Sequence, residues 1–297
     1  MSIVIVFAVL CAGFTASSPV QNDPYPDWND LPVGPLGALP PTPEMIAAVG
    51  YKDVVYDENE EIPEEFDARE KWPHCVSLRT IWDQGTCGSC WAVSSASAMG
   101  DRYCIRNKGN VTLSAYDLMS CCSTCHPKGP CDGGYPLDAW MHWYVEGVVT
   151  GGPTNCSGCT CYRYGGDTQF KCDHECRIGY EKLYDFDLTH GNPAKYVRNN
   201  VEEIQREIMT NGPVVATFEV FTDLGDPGKS VYIHRGGISR GYHAVRVIGW
   251  GVKNMWGVRV PYWLVANSWG TEWADGGVFR ILRGYDHCRF ESMIVAD

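Results

Sequence analysis

The stretch that decides the fold is IWDQGTCGSCWA, Ile81 to Ala92. It sets two cysteines, Cys87 and Cys90, on either side of Gly88 and Ser89. Such a pair can be a redox couple, half of a metal site, or two thiols with separate tasks. After Cys90, the residues Ala92, Ala96, Met99 and Tyr103 recur at helical spacing, so a helix is predicted to start near Cys90. A thiol at a helix N-terminus faces free N–H groups and the positive end of the helix dipole, which stabilise a thiolate. Gly88 leaves room for a substrate backbone, and Trp91 can screen the thiol on one side.

A nucleophile needs a base, and the base needs a group to orient it. His243 in GYHAVRVIGWG is the candidate base, on a β-like run. Asn267 in VANSWG follows the apolar run WLVA, where a buried amide must find partners. Its oxygen can accept the imidazole N–H. Gln84, six residues before Cys90, offers an amide that could complete an oxyanion hole with the Cys90 N–H.

The texture of the chain divides around these residues. YPLDAWMHWYVEG (Tyr135 to Gly147) reads as a second helix. NVEEIQREIMTNG reads as a third, with Asn200 as cap, Glu203 three residues on, and Gly212 as stop. Then PVVATFEVF, YHAVRVIGW, VPYWLVANSW and GVFRILRG alternate with turn residues as short strands. The expected fold class is therefore α+β, with two lobes and a cleft between them.

Composition bounds the setting. The formal net charge of −12 argues against nucleic acid as partner and supplies no basic membrane patch. IVIVFAVLCAGF (Ile3 to Phe14), with small residues after it, reads as a secretory signal over residues 1–18. No other run reaches spanning length, so no membrane anchor is expected. Residues 19–61 hold eight of the 18 prolines, the acidic cluster DENEE and no cysteine. That segment reads either as a disordered tail or as a short propeptide lying over the active site. Fifteen cysteines suit an oxidising compartment, and fourteen remain once Cys11 leaves with the signal. Asn110 and Asn155 head possible glycan acceptor triplets.

Several segments carry a resemblance. CGSCW followed far downstream by His243 and Asn267 has the order of the papain and cathepsin signature. QGTCGSCWA, CDGGYP, GYHAVRVIGWG and NSWGTEWADGG resemble papain-family motifs, while FDAREKWPHC, CCSTC and RGYDHC resemble the cathepsin B branch. The resemblance covers 62–297 and implies a papain-like cysteine protease of two lobes. These are a helical lobe over roughly 75–185 and an antiparallel β-barrel lobe over roughly 186–297. It implies Cys90 and His243 as a thiolate–imidazolium pair oriented by Asn267, with Gln84 in the oxyanion hole and Trp269 over the His–Asn bond. It implies Gly133 and Gly134 as the strand that pairs with substrate. Residues 19–61 become a propeptide inhibitor by the same analogy. The cysteines fit a cathepsin B-like pattern: Cys75–Cys104, Cys87–Cys131, Cys121–Cys172, Cys122–Cys125 and Cys161–Cys176, with Cys156 and Cys159 left to pair together and Cys90 and Cys288 free. No metal or cofactor is expected. Partners would be protein and peptide substrates and cystatin-like inhibitors of a monomer in a lysosome, vacuole or secretion. A thiol–disulfide oxidoreductase competes for the C-x-x-C pair, but it needs a preceding βαβ context, and it leaves His243, Asn267 and Gln84 without tasks.

Two departures from that branch bear on specificity. Cathepsin B carries a long occluding loop whose adjacent histidines hold a substrate's C-terminal carboxylate; here PTNCSGCTCYRYGGDTQF is short and has no histidine. An endopeptidase with little dipeptidyl carboxypeptidase activity is expected. Met293 in CRFESMIV stands where that branch has a glutamate at the floor of the S2 pocket. With Pro136, Ala244 and Thr217 it would favour apolar P2 side chains over Arg.

Overall fold

A computed structural model of the chain describes residues 35–57, 59–163 and 170–297. The expected signal at 1–18, the first part of the 19–61 segment and residues 164–169 of the segment expected to be a shortened loop lie outside the described residues.

The helices are α1 (Pro43–Val49), α2 (Ala68–Lys71), α3 (Cys90–Ile105), α4 (Ala115–Cys121), α5 (Pro136–Val145), α6 (Tyr184–Asp187) and α7 (Val201–Asn211). The strands are β1 (Phe66–Asp67), β2 (Lys195–Val197), β3 (Val214–Phe221), β4 (Val231–Tyr232), β5 (Ser239–Met255), β6 (Val258–Ala266), β7 (Val278–Leu282) and β8 (Ile294–Ala296). α3 is the central helix of the first lobe. It is buried almost along its whole length and packs on α4 and α5, and its Gly100 leaves room for the backbone of Val111–Leu113. Trp91, Trp140 and Trp143 fill the core around it. α7 begins as read: the Asn200 side chain accepts from the Glu203 N–H at 3.1 Å, and Gly212 ends it at φ +104°. The Glu203 carboxylate, however, turns to Arg198 rather than back to the cap.

The second lobe is one sheet in the order β2-β8-β3-β5-β6-β7-β4, with β1 added on β5. All pairs are antiparallel except β4 with β7. The expected barrel is corrected here, because the pairing path is open and β2 and β4, its ends, do not pair. Both end strands are short, three and two residues. The β2 edge is taken instead by the upstream segment, where the Lys52 N–H donates to Tyr196 O at 2.7 Å. Phe218, Trp250, Trp263, Phe279 and Phe290 fill this lobe.

A buried ion pair crosses between the lobes. Arg246 of β5 reaches Asp101 of α3 at 2.8 Å and also donates to Ser77 O and Thr80 O. With both charges out of water, removing either partner strands the other.

Six disulfides staple the described residues. Cys75–Cys104, Cys87–Cys131, Cys121–Cys172 and Cys122–Cys125 pair as expected. The last two pairings are corrected to Cys156–Cys161 and Cys159–Cys176. Cys159 is fully buried beside Val149 and Tyr184, and the Arg177 N–H donates to its carbonyl at 2.9 Å, which brings Cys176 alongside. Cys156 and Cys161 are left to close the small turn between them. Cys90 and Cys288 are free thiols.

Candidate active site

Cys90 is the first residue of α3 and is completely buried. The loop before it is tight. A Cβ on Gly88 would lie 2.4 Å from Cys131 O, so the turn closed by the Cys87–Cys131 bridge requires glycine. The Cys90 sulfur accepts from the Ala244 N–H across the cleft at 3.5 Å. Burial pushes the thiol up to about 11, against the pull of N–H groups from Ala244, Gly37, Trp91 and Cys90 itself.

His243 on β5 and Asn267, the residue just after β6, meet where the sheet borders the helical lobe. His243 Nε2 and Asn267 Oδ1 are 2.7 Å apart. Trp269 stacks on the imidazole at 4.7 Å and 23°, and Phe218 meets it edge-on. His243 Nδ1 is buried with no hydrogen bond among the described residues. Burial drives the imidazole down to about 4, partly countered by Asn267. Thiol and imidazole are thus both neutral in this covered arrangement.

Gln84 Nε2 donates to Cys87 O at 2.9 Å and to Pro35 O at 2.6 Å. Its Oε1 accepts from the Ser268 hydroxyl at 2.6 Å, and its N–H donates to Ser268 O at 2.9 Å. Ser268 also donates its N–H to Asn267 Oδ1 at 2.8 Å. One serine thereby fixes both the Gln84 amide and the Asn267 amide. Sequence reading passed over it, although it lies between Asn267 and Trp269.

The cleft is occupied by residues upstream. Ala38 pairs in parallel with Gly134. Gly134 N–H donates to Gly37 O, and Leu39 N–H to Gly134 O, both at 2.9 Å; Ala38 N–H donates to Tyr242 O at 3.2 Å. Gly133 sits at φ +104°, and a Cβ on Gly134 would strike the Trp91 ring at 2.6 Å, so this strand presents bare backbone. Of the other expected contact residues, Thr217 and Ala244 are register partners on β3 and β5, and the Thr217 N–H donates to Met293 O at 3.0 Å. All three are buried on one wall, while Pro136 opens α5 on the other lobe, two residues after Gly134. A separate cavity of about 640 Å³ lies on the helical lobe beside Tyr116, His174 and Tyr184.

Cys122 and Cys125, a C-x-x-C pair that could otherwise offer metal ligands, are bonded to each other. Two other groupings of metal-binding residue types, His74 with Cys75 and Cys104, and Cys121 with Cys172 and His174, have their cysteines in disulfides. Asn110 is exposed with its amide tied to Val76 N–H and His74 O; Asn155 is exposed in a left-handed turn.

Residues 62–297 match the family model for papain family cysteine proteases. The chain belongs to the papain family. It is 44% identical over 259 residues to cathepsin B-like cysteine proteinase 6 of Caenorhabditis elegans, covering 79% of this chain and 66% of that protein. It is 43% identical over 260 residues to a cathepsin B-like cysteine proteinase of Schistosoma japonicum, covering 81% of this chain and 74% of that one. Among solved structures, procathepsin B S9 of Trypanosoma congolense superposes with a TM-score of 0.74 at 35% identity, over 88% of this chain and 85% of that one. The chain is therefore a cathepsin B-like cysteine protease of papain-like α+β fold. Among the described residues no helix is long and apolar enough to cross a membrane.

Proposed function

We propose that the chain is the zymogen of a secretory-pathway endopeptidase, with a signal at 1–18, a propeptide at 19–61 and the protease at 62–297. The observation that carries this reading is the Pro35–Leu39 strand, which fills the cleft over Cys90 and holds the amide of Gln84 and the backbone of Gly134. Leaving the cleft, it rehydrates Cys90 and His243, and the proton moves from sulfur to imidazole. The thiolate attacks a peptide carbonyl, and the new oxyanion takes the N–H groups of Gln84 Nε2 and Cys90. His243 gives its proton to the leaving amine. It then takes one from the water that hydrolyses the thioester, and the thiolate returns. Asn267 holds the ring in register, and Trp269 keeps water off that hydrogen bond. Iodoacetamide labelling of the processed protein, with and without Cys90→Ala, tests this. One labelled site, at Cys90, with activity lost in proportion, is expected. Activity surviving in Cys90→Ala would refute it.

The same reading extends to substrate choice. The segment between Gly152 and Cys172 lacks the histidines that would hold a C-terminal carboxylate, which supports cleavage of internal bonds. Amidating a substrate's C-terminus should leave its cleavage unchanged; dependence on a free carboxylate would overturn this. Met293 beside Thr217 and Ala244 supports apolar P2 residues. Cystatin-like inhibitors and a monomeric state in a lysosome, vacuole or secretion complete the proposal.

A further inference from the structure

Ser89 is the N-cap of α3, yet it does not cap. An N-cap serine ordinarily accepts a hydrogen bond from the N–H two or three residues on. Ser89 makes no such bond. Its Oγ lies 2.6 Å from the phenol oxygen of Tyr162. That phenol donates its one proton to Gln84 O at 2.8 Å. The Ser89 hydroxyl must therefore be the donor to Tyr162. All three residues are buried, so no solvent competes. Tyr162 itself is held from several sides. Its N–H donates to Gly152 O at 2.9 Å, its carbonyl accepts from the Thr154 hydroxyl at 3.2 Å, its ring meets Trp82 edge-on, and Cys161 beside it is bridged to Cys156.

We infer that Tyr162 is a positioning residue for the nucleophile: it draws the Ser89 hydroxyl away from the start of α3, leaving the first N–H groups of that helix to the Cys90 sulfur, and it fixes the carbonyl of Gln84. The inference rests on the reading of Cys90 as nucleophile. The N–H groups of Cys90 and Trp91 are among those that act on the sulfur. A hydroxyl free to turn onto the end of the helix would compete for one of them, and a thiolate that loses a donor forms less readily. The segment 153–163 thus acts on chemistry through a single phenol.

The test uses processed enzyme in four forms: wild type, Tyr162→Phe, Ser89→Ala and the double variant. Peptide hydrolysis gives kcat and KM, and iodoacetamide alkylation at one mildly acidic pH reads the thiolate. Tyr162→Phe should lower kcat and alkylation together by about tenfold with KM nearly unchanged. Ser89→Ala, which removes the competing hydroxyl, should alkylate at least as fast as wild type. The double variant should regain the alkylation rate that Tyr162→Phe loses. Alkylation of Tyr162→Phe at the wild-type rate, or failure of Ser89→Ala to rescue it, would overturn the inference. If Tyr162→Phe does not fold, Ser89→Ala still decides: slower alkylation than wild type makes the Ser89–Tyr162 bond a structural tie only. A wild type that neither cleaves nor alkylates would instead sink the reading of Cys90.

Discussion

The contact of Gly37 with the nucleophile loop gives a sharp test of the covered cleft. A Cβ built on Gly37 falls 1.7 Å from Gly88 O and 2.2 Å from Gly88 C. Non-bonded carbon contacts need about 3.5 Å, so Gly37→Ala must push the strand out by roughly 1.5–2 Å. Both obstructing atoms are backbone, in a loop tied by the Cys87–Cys131 bridge, and cannot give way. The shift breaks the bonds of Gly37 O and Leu39 N–H with Gly134 and of Ala38 N–H with Tyr242. At about 1 kcal/mol each, the loss is about 3 kcal/mol. Stiffening of the free peptide by alanine offsets less than 1 kcal/mol of that. About 2 kcal/mol remains, or roughly thirtyfold in affinity. The assay is the inhibition constant of a synthetic peptide spanning residues 35–57 against processed enzyme, glycine against alanine at 37. An unchanged constant would refute the claim that this strand binds by close backbone approach.

Three further outcomes follow from the same geometry. Met293→Glu should raise kcat/KM for P2 Arg over P2 Phe by about tenfold or more, because a buried carboxylate then meets the guanidinium; unchanged selectivity would remove Met293 from the pocket. Lys52 pairs at 3.0 Å with the fully buried Glu207, which keeps Arg102 at 2.8 Å without it, so Lys52→Met should speed release of the propeptide only about tenfold; following the loss of latency by substrate turnover would measure it, and an unaltered rate would dismiss the anchor. His243 stays neutral down to about 4 in the covered state, whereas a free imidazole titrates near 6.5. Covered, Cys90 keeps its proton up to about 11; uncovering passes that proton to His243, so both states hold one proton between those values and the pair adds no pH dependence there. Self-processing set by this pair should therefore keep a flat rate across that window, and an acceleration there would assign the trigger to other groups.

The site was legible in the sequence where chemistry dictates residue type. A thiol at a helix start, an imidazole and an amide on strands, and a second amide just upstream have few other reasons to stand in that order. The α7 boundaries were legible because Asn200 and Gly212 act within one turn of their own positions. The pairing of Cys156, Cys159, Cys161 and Cys176 was not, since several matches are within covalent reach and burial of Cys159 decides among them. The Pro35–Leu39 strand was equally hidden. It is recognised through backbone groups, which leave no periodic pattern, and only the small size of Gly37 and Ala38 hints at close approach. Tyr162 reads as filler because its partners lie 73 and 78 residues away. The barrel was expected from strand count and alternation, neither of which reports whether two short end strands meet.

The Arg246 crossing between the lobes has a consequence for inhibitors. With Asp101 and the carbonyls of Ser77 and Thr80 gathered around one guanidinium, the two walls cannot part without stranding buried charge. The slot between them has a set width, and a ligand meets it ready-made. Association should then be a single step, its observed rate rising linearly with inhibitor concentration and without a slow tightening phase. Compounds of one series would differ chiefly in how long they stay.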